Sequence, residues 1–193
     1  MAEVAPEYKV IMIGESFVGK TCIVNRFWGK IFNSNEAPTI AASYIQVPLQ
    51  LKLEDLNRTV DVKLNIWDTA GTEKFQCLVP LYARTADALI VVFDASNLVS
   101  FEGAKKWYMK VLEDTGSNPV AVLCANKIDL VSDFNHPESA EWAAKNGLNY
   151  MKTSALTGQN ISETFYKIAE QLYRAEVKPE NRLEPVEKKK SCC

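Results

Sequence analysis

The stretch YKVIMIGESFVGKT, residues 8 to 21, restricts the fold more than any other part of the chain. An apolar run without polar alternation reads as a strand buried on both faces. The eight residues after it, GESFVGKT, match G-x-x-x-x-G-K-[ST] in a strand, loop, helix setting. Glycines let backbone N–H groups curl around phosphate oxygens, Lys20 neutralises the β and γ phosphates, and the Thr21 hydroxyl suits Mg²⁺. The expected phosphate-side contacts are Gly14, Ser16, Phe17, Val18, Gly19, Lys20, Thr21 and Cys22. A plain glycine turn between strand and helix is the alternative, and Lys-Thr at the helix start weighs against it.

The same alternation of short apolar runs with helical patterns continues down the chain. ALIVVFD (88 to 94), VAVLCAN (120 to 126) and LNYMKT (148 to 153) read as strands, with helices expected over 19 to 29, 99 to 114, 138 to 146 and 161 to 176. Between Tyr44 and Trp67 two β-like segments are joined by KLEDLNRT (52 to 59) with no helix between them, which predicts an antiparallel hairpin at a sheet edge, where Pro48 is tolerated. The expected fold is α/β: a doubly wound, six-stranded, mostly parallel sheet with one antiparallel edge strand and helices on both faces.

Charge and length narrow the function. A formal net charge of −2 provides no basic field for nucleic acid, and 193 residues suit one domain with a tail. The longest apolar runs have six residues, against roughly 20 for a bilayer-spanning helix. The N-terminus does not resemble a signal peptide, so a cytosolic, reducing compartment is expected, with Cys22, Cys77 and Cys124 as ordinary small residues. The only histidine, His136, lies beside Pro137 where a helix begins and is expected to be a loop or capping residue.

Two further motifs follow in order. Asp68 ends the strand KLNIWD, where a carboxylate can hold the Mg²⁺ shell from the side opposite Thr21, and Gly71 offers an N–H to a γ-phosphate. A lone strand-end aspartate is otherwise a turn or cap residue. NKID, Asn126 to Asp129, follows VAVLCA, and the Asp129 carboxylate suits the N1–H and 2-NH₂ donors of guanine, whereas adenine leaves it unpaired.

With GESFVGKT, PTI (38 to 40), WDTAG, NKID and TSA (153 to 155) in order, the chain resembles the Ras-like small GTPases over roughly residues 7 to 174. The resemblance implies GTP/GDP and Mg²⁺ as ligands. Phe32 would pack edge-on against guanine, and Thr39 would join Thr21 and Asp68 at Mg²⁺. Asn126, Lys127, Asp129, Ser154, Ala155 and Leu156 would surround the base, and Lys20, Thr39, Gly71 and Thr72 the γ-phosphate. Thr39 could otherwise be a plain edge-strand threonine. Leu156 stands where the family carries a base-packing lysine.

Within that family TIAASY (39 to 44), LYARTADALIVVFDAS (81 to 96) and SFEGAKKWYMKVL (100 to 112) resemble the Rab branch, and Ala41-Ala42 lean towards its early-endosomal members. Ile40, Tyr44, Trp67 and Tyr82 take the places of effector-facing residues. For the three aromatics a core cluster is the other reading, and both can hold. From Ala175 to Cys193 the chain carries nine charged residues and two prolines, too polar to pack, so a flexible tail is expected after a domain of residues 1 to 174. Its ending, Lys188 to Lys190 followed by Cys192-Cys193, resembles a doubly prenylated Rab terminus, and two lipid chains are what stable anchoring takes. A solvated tail with unmodified thiols is the alternative.

The resemblance implies a vesicle-trafficking switch on the cytoplasmic face of an endosomal membrane. Its implied partners are effectors, an exchange factor, a GTPase-activating protein, a prenylation escort and a GDP-dissociation inhibitor. One position departs from the family. Where a glutamine normally orients the attacking water, this chain has Thr72, too short to reach water and phosphate together, so slow hydrolysis is expected. A mostly GTP-locked membrane tether is the alternative to a cycling switch; a P-loop kinase for a small metabolite fits NKID poorly.

Overall fold

The computed structural model describes residues 5–33, 39, 42–71 and 79–177. Its elements run β1 (Glu7–Ile13), α1 (Lys20–Phe27), β2 (Ala42–Leu53), β3 (Arg58–Thr69), α2 (Val79–Ala83), β4 (Ala88–Asp94), α3 (Val99–Thr115), β5 (Val120–Asn126), α4 (Pro137–Lys145), β6 (Asn149–Lys152) and α5 (Ile161–Val177). The strands form one sheet in the order β2-β3-β1-β4-β5-β6. β2 lies antiparallel to β3 at the edge, and every other pairing is parallel.

Burial on both faces explains why the inner strands show no polar alternation. In β1, Val10 and Met12 face one core with Ile90 and Val92 of β4, covered by Ile23 and Val24 of α1 and Phe165 and Ile168 of α5. The intervening Ile11 and Ile13 face the other core with Leu89, Val91 and Phe93, under Phe101 and Val111 of α3 and Ala143 of α4. Phe165 also stacks on Phe27, centroids 3.9 Å apart, which ties α5 to α1.

The hairpin is tighter than the sequence suggests. Pairing continues from Ala42↔Thr69 to Leu53↔Arg58, so Lys52, Leu53, Arg58 and Thr59 of the expected connection are strand residues. The chain reverses through one 3₁₀ turn, Glu54–Leu56, and Asn57 at φ 44°. Leu51, Leu53, Val60 and Val62 draw the strands out to this length by packing into the core that α5 covers, while Gln50 and Lys52 alternate outwards. The other boundaries fall within two residues of expectation, apart from the five-residue α2, which is too short to carry a periodic signal.

Helix α5 runs to Val177, three residues past the expected end of the domain. Its last turns are held by the sheet and the hairpin tip: Tyr8 donates to Glu176 Oε2 at 2.6 Å, and Arg174 meets both Asp55 oxygens at 2.6 and 2.9 Å. No helix among the described residues is long and apolar enough to cross a membrane. Because β1, β3, β4, β5 and β6 are parallel, their C-terminal ends meet at one rim, where open α/β sheets bind ligands.

Candidate functional site

The loop after β1 is built on two left-handed glycines. Gly14 has φ +138° and Gly19 φ +96°. A Cβ on Gly14 would sit 2.3 Å from the Val92 carbonyl oxygen, and one on Gly19 2.5 Å from Asn126 Nδ2. Besides freeing N–H groups, these glycines let the loop lie directly on β4 and on the start of NKID. Phe17, between them, holds φ +66° with its ring 80% exposed at the mouth of the cleft, an uncommon state for a bulky residue.

Lys20 is buried, and its Nζ donates back to the carbonyls of Gly14 at 2.9 Å and Glu15 at 2.8 Å. Burial pushes the ammonium down to about 8, while the carboxylates of Asp68 and Glu15 pull it partly back. A bound anion would complete what these carbonyls satisfy only in part. Gly71 comes so close that a Cβ there would lie 2.4 Å from the Glu15 backbone and 2.5 Å from Lys20 Nζ, so the turn after β3 is pressed against the phosphate loop.

Thr21, Thr39 and Asp68 converge beside it. Thr21 Oγ1 donates to Asp68 Oδ2 at 2.6 Å, the two threonine hydroxyls lie 2.8 Å apart, and Thr39 Oγ1 reaches the same carboxylate oxygen at 3.2 Å. Two hydroxyls and one carboxylate form a hard, all-oxygen donor set with a single negative charge. That set suits Mg²⁺ sharing its shell with phosphates rather than a self-sufficient protein cage. Consistently, no group of three or more His, Cys, Asp or Glu side chains fit to hold a metal occurs among the described residues.

At the other end of the rim, Asn126 is a brace. Its Nδ2 donates to the Val18 carbonyl at 2.9 Å, and its Oδ1 accepts the Ala155 N–H at 3.2 Å, so it ties the phosphate loop to the loop after β6. Ser154, fully buried, donates its hydroxyl to Asp129 and so aims that exposed carboxylate. Asn126 thus both lines the cleft and braces it, whereas Ser154, expected beside the base, supports the site from behind.

One cleft of about 550 Å³, within the usual range for small-molecule sites, joins both ends. Its walls include Ser16, Phe17, Gly19, Lys20, Thr21, Cys22, Phe32, Thr39, Gly71, Lys127, Asp129, Ala155 and Leu156. Gly14, Val18 and Asp68 are buried and are not among its lining residues. Leu130 also lines the cleft and was not anticipated. Neither was Asp94, whose carboxylate meets Lys127 Nζ at 2.7 Å. The signal that points to Asp94 is a charged residue at the end of an apolar strand that pairs with the strand ending in Asn126. Thr72, Ile40, Cys77, Cys192 and Cys193 lie outside the described residues.

The aromatic residues form a row next to the site. Tyr44 and Trp67 rings are 5.3 Å apart, and Trp67 and Tyr82 likewise. Lys9 Nζ sits 5.4 Å from the Trp67 ring centre, and Tyr44 is half exposed. The row is therefore a packed cluster that also shows a face to solvent.

A Ras-family sequence model matches residues 9–174. The chain is 39% identical over 168 residues to the Ras-related protein Rab-5A of Dictyostelium discoideum, covering 86% of this chain and 81% of the relative. It is 37% identical over 170 residues to the Ras-related protein RABF2b of Arabidopsis thaliana and 36% identical to RABF2a of the same plant, each covering 87% of this chain and 82% of the relative.

Proposed function

We propose, from the premise that the chain belongs to the Ras family of small GTPases and to its Rab branch, that it is a vesicle-trafficking switch on an endosomal membrane with slow intrinsic GTP hydrolysis. The observation that carries the ligand reading is the single cleft joining the phosphate-loop lysine, the Thr21-Thr39-Asp68 oxygen cluster and the Asp129 carboxylate. A triphosphate lies across that cleft with its base at Asp129 and its phosphates at Lys20. When bound, Mg²⁺ draws charge from the β and γ oxygens. Thr21, Thr39 and Asp68 would hold it, Lys20 would neutralise the terminal phosphate, and Gly71 would aim its N–H there.

Thr39 is the element that senses the third phosphate. Its hydroxyl meets Thr21 and Asp68, and in the sequence it stands three residues before β2, the strand that carries Tyr44. Effectors of the GTP state would read the row Tyr44, Trp67 and Tyr82 together with Ile40. Exchange factor, GTPase-activating protein, prenylation escort and GDP-dissociation inhibitor complete the cycle, and lipids on Cys192 and Cys193 anchor it.

The decisive test is the nucleotide in freshly purified protein and the time course of GTP hydrolysis with and without cell extract. A mostly GTP load and no turnover even with extract would replace the cycling switch with the tether. Thr72→Gln is expected to raise single-turnover hydrolysis about tenfold by restoring a side chain that orients water. An unchanged rate would remove Thr72 as the cause of slow turnover.

The depressed Lys20 value gives a pH signature. In the ligand-free protein the ammonium loses its proton near pH 8, whereas phosphates favour the charged form. Binding therefore takes up a proton above about pH 8 and none well below it. GDP affinity, read by fluorescence titration, should be level at neutral pH and fall by up to about tenfold per pH unit above 8. An affinity that stays level from about pH 7 to 9.5 contradicts the assignment of Lys20 to the phosphates.

A further inference from the structure

We propose that Asp94 is a positioning residue for nucleotide retention, holding Lys127 so that its aliphatic stem stands as a ready-made wall of the cleft. The inference rests on the guanine-nucleotide reading above and goes beyond it, because Asp94 lies in none of the sequence motifs that reading uses.

The geometry comes from the register of the sheet. Asp94 closes β4 directly beside Asn126, the last residue of β5. The chain is pinned there a second time by the Ala95 N–H, which donates to the Asn126 carbonyl at 2.7 Å. Lys127 then takes φ +64°, a left-handed conformation that swings its side chain back across the strand ends to Asp94 Oδ2 at 2.7 Å. Its stem comes to rest against the phosphate loop, with Cε 3.9 Å from where a Gly19 Cβ would be.

The carboxylate is itself held. Oδ1 accepts the Ser96 N–H at 2.9 Å and the Ser96 hydroxyl at 2.6 Å, and the Asp94 N–H donates to Ser100 Oγ at 2.8 Å. Burial alone would push this carboxyl up, but the bonds from Lys127 and Ser96 outweigh it and hold it below the usual carboxylate range. The anchor is therefore buried, charged and fixed before any ligand arrives.

The consequence for binding is preorganisation. A lysine side chain loses much rotamer freedom when it is ordered. With the ion pair formed in the ligand-free protein, that loss does not fall on nucleotide binding. Without it, Lys127 would have to be ordered by the nucleotide, and the cleft wall would open more readily. The effect should appear mainly in the dissociation rate.

Asp94→Asn breaks the ion pair while keeping Oδ1 as acceptor for Ser96; its Nδ2 then faces Lys127 as a donor, so the charge and the acceptor are lost together. With the full chain and a fluorescent GDP analogue, dissociation from Asp94→Asn is expected to be about tenfold faster than from the wild type, the loss typical of one charge-assisted hydrogen bond. Asp94→Glu should recover most of the wild-type rate. In a Lys127→Met background, Asp94→Asn should add nothing, since the two residues act as one unit. A wild-type rate in Asp94→Asn, or effects of the two substitutions that multiply, would overturn the proposal while leaving the guanine reading intact. A wild-type protein that binds no guanine nucleotide would overturn both.

Discussion

Asp129→Asn is expected to invert the base preference of the cleft from guanine to xanthine. Guanine presents two donors side by side, N1–H and the 2-amino group, and a carboxylate accepts both. Asparagine can accept only one, and its amide N–H₂ then points at the second donor. Xanthine carries a carbonyl in place of the amino group, so the same N–H₂ finds an acceptor. Sites built around paired hydrogen bonds reject the analogue that lacks them by roughly 10⁴-fold, so the ratio of GDP to XDP affinity should fall by about that factor. Asp129 is exposed and its partner Ser154 keeps an acceptor in asparagine, so stability should change little. Competition of GDP and XDP against a fluorescent analogue measures the ratio. A variant that still prefers GDP would show that Asp129 does not face the base.

The residues that specify this site differ in how visible they are in the chain. GESFVGKT and NKID are contiguous, and each follows an apolar run made conspicuous by burial on both faces of the sheet. The hairpin is harder to read, because its solvent side contributes Lys52, Arg58 and Thr59, which make KLEDLNRT look like a loop. Only the packing of Leu51, Leu53 and Val60 beneath α5 shows that the strands continue. Asp94 was not legible as a local motif. Its contact with Lys127 crosses from β4 to β5 and depends on which strands are neighbours and in what register, which no spacing along the chain displays. Asn126 and Ser154 stand in their motifs, but the bracing role of Asn126 and the place of Ser154 behind the cleft follow from tertiary hydrogen bonds alone.

Gly14→Ala is expected to cost about 4 kcal/mol of stability, a backbone strain of roughly 1–3 kcal/mol plus an overlap of similar size. The glycine motif suggests that Gly14 serves the phosphates, yet the geometry gives it a second role in the sheet. At φ +138° an L side chain is strained, and its Cβ would stand 2.3 Å from the Val92 carbonyl. That carbonyl cannot retreat easily, because β4 is paired with β1 up to Ile13↔Val91, next to the glycine itself. Relief must come from lifting the phosphate loop, which takes Lys20 and Thr21 with it, so nucleotide binding should fail together with stability. Gly147→Ala separates the two contributions. Gly147 also holds a positive φ, +73°, but nothing lies within 4 Å of its Cβ position, so only the left-handed penalty of about 1–2 kcal/mol applies. Urea unfolding of both variants without nucleotide compares them with no contribution from bound GDP. If Gly14→Ala is no more destabilising than Gly147→Ala, the close approach to β4 carries no energy and the loop is held in place by the glycine's conformation alone.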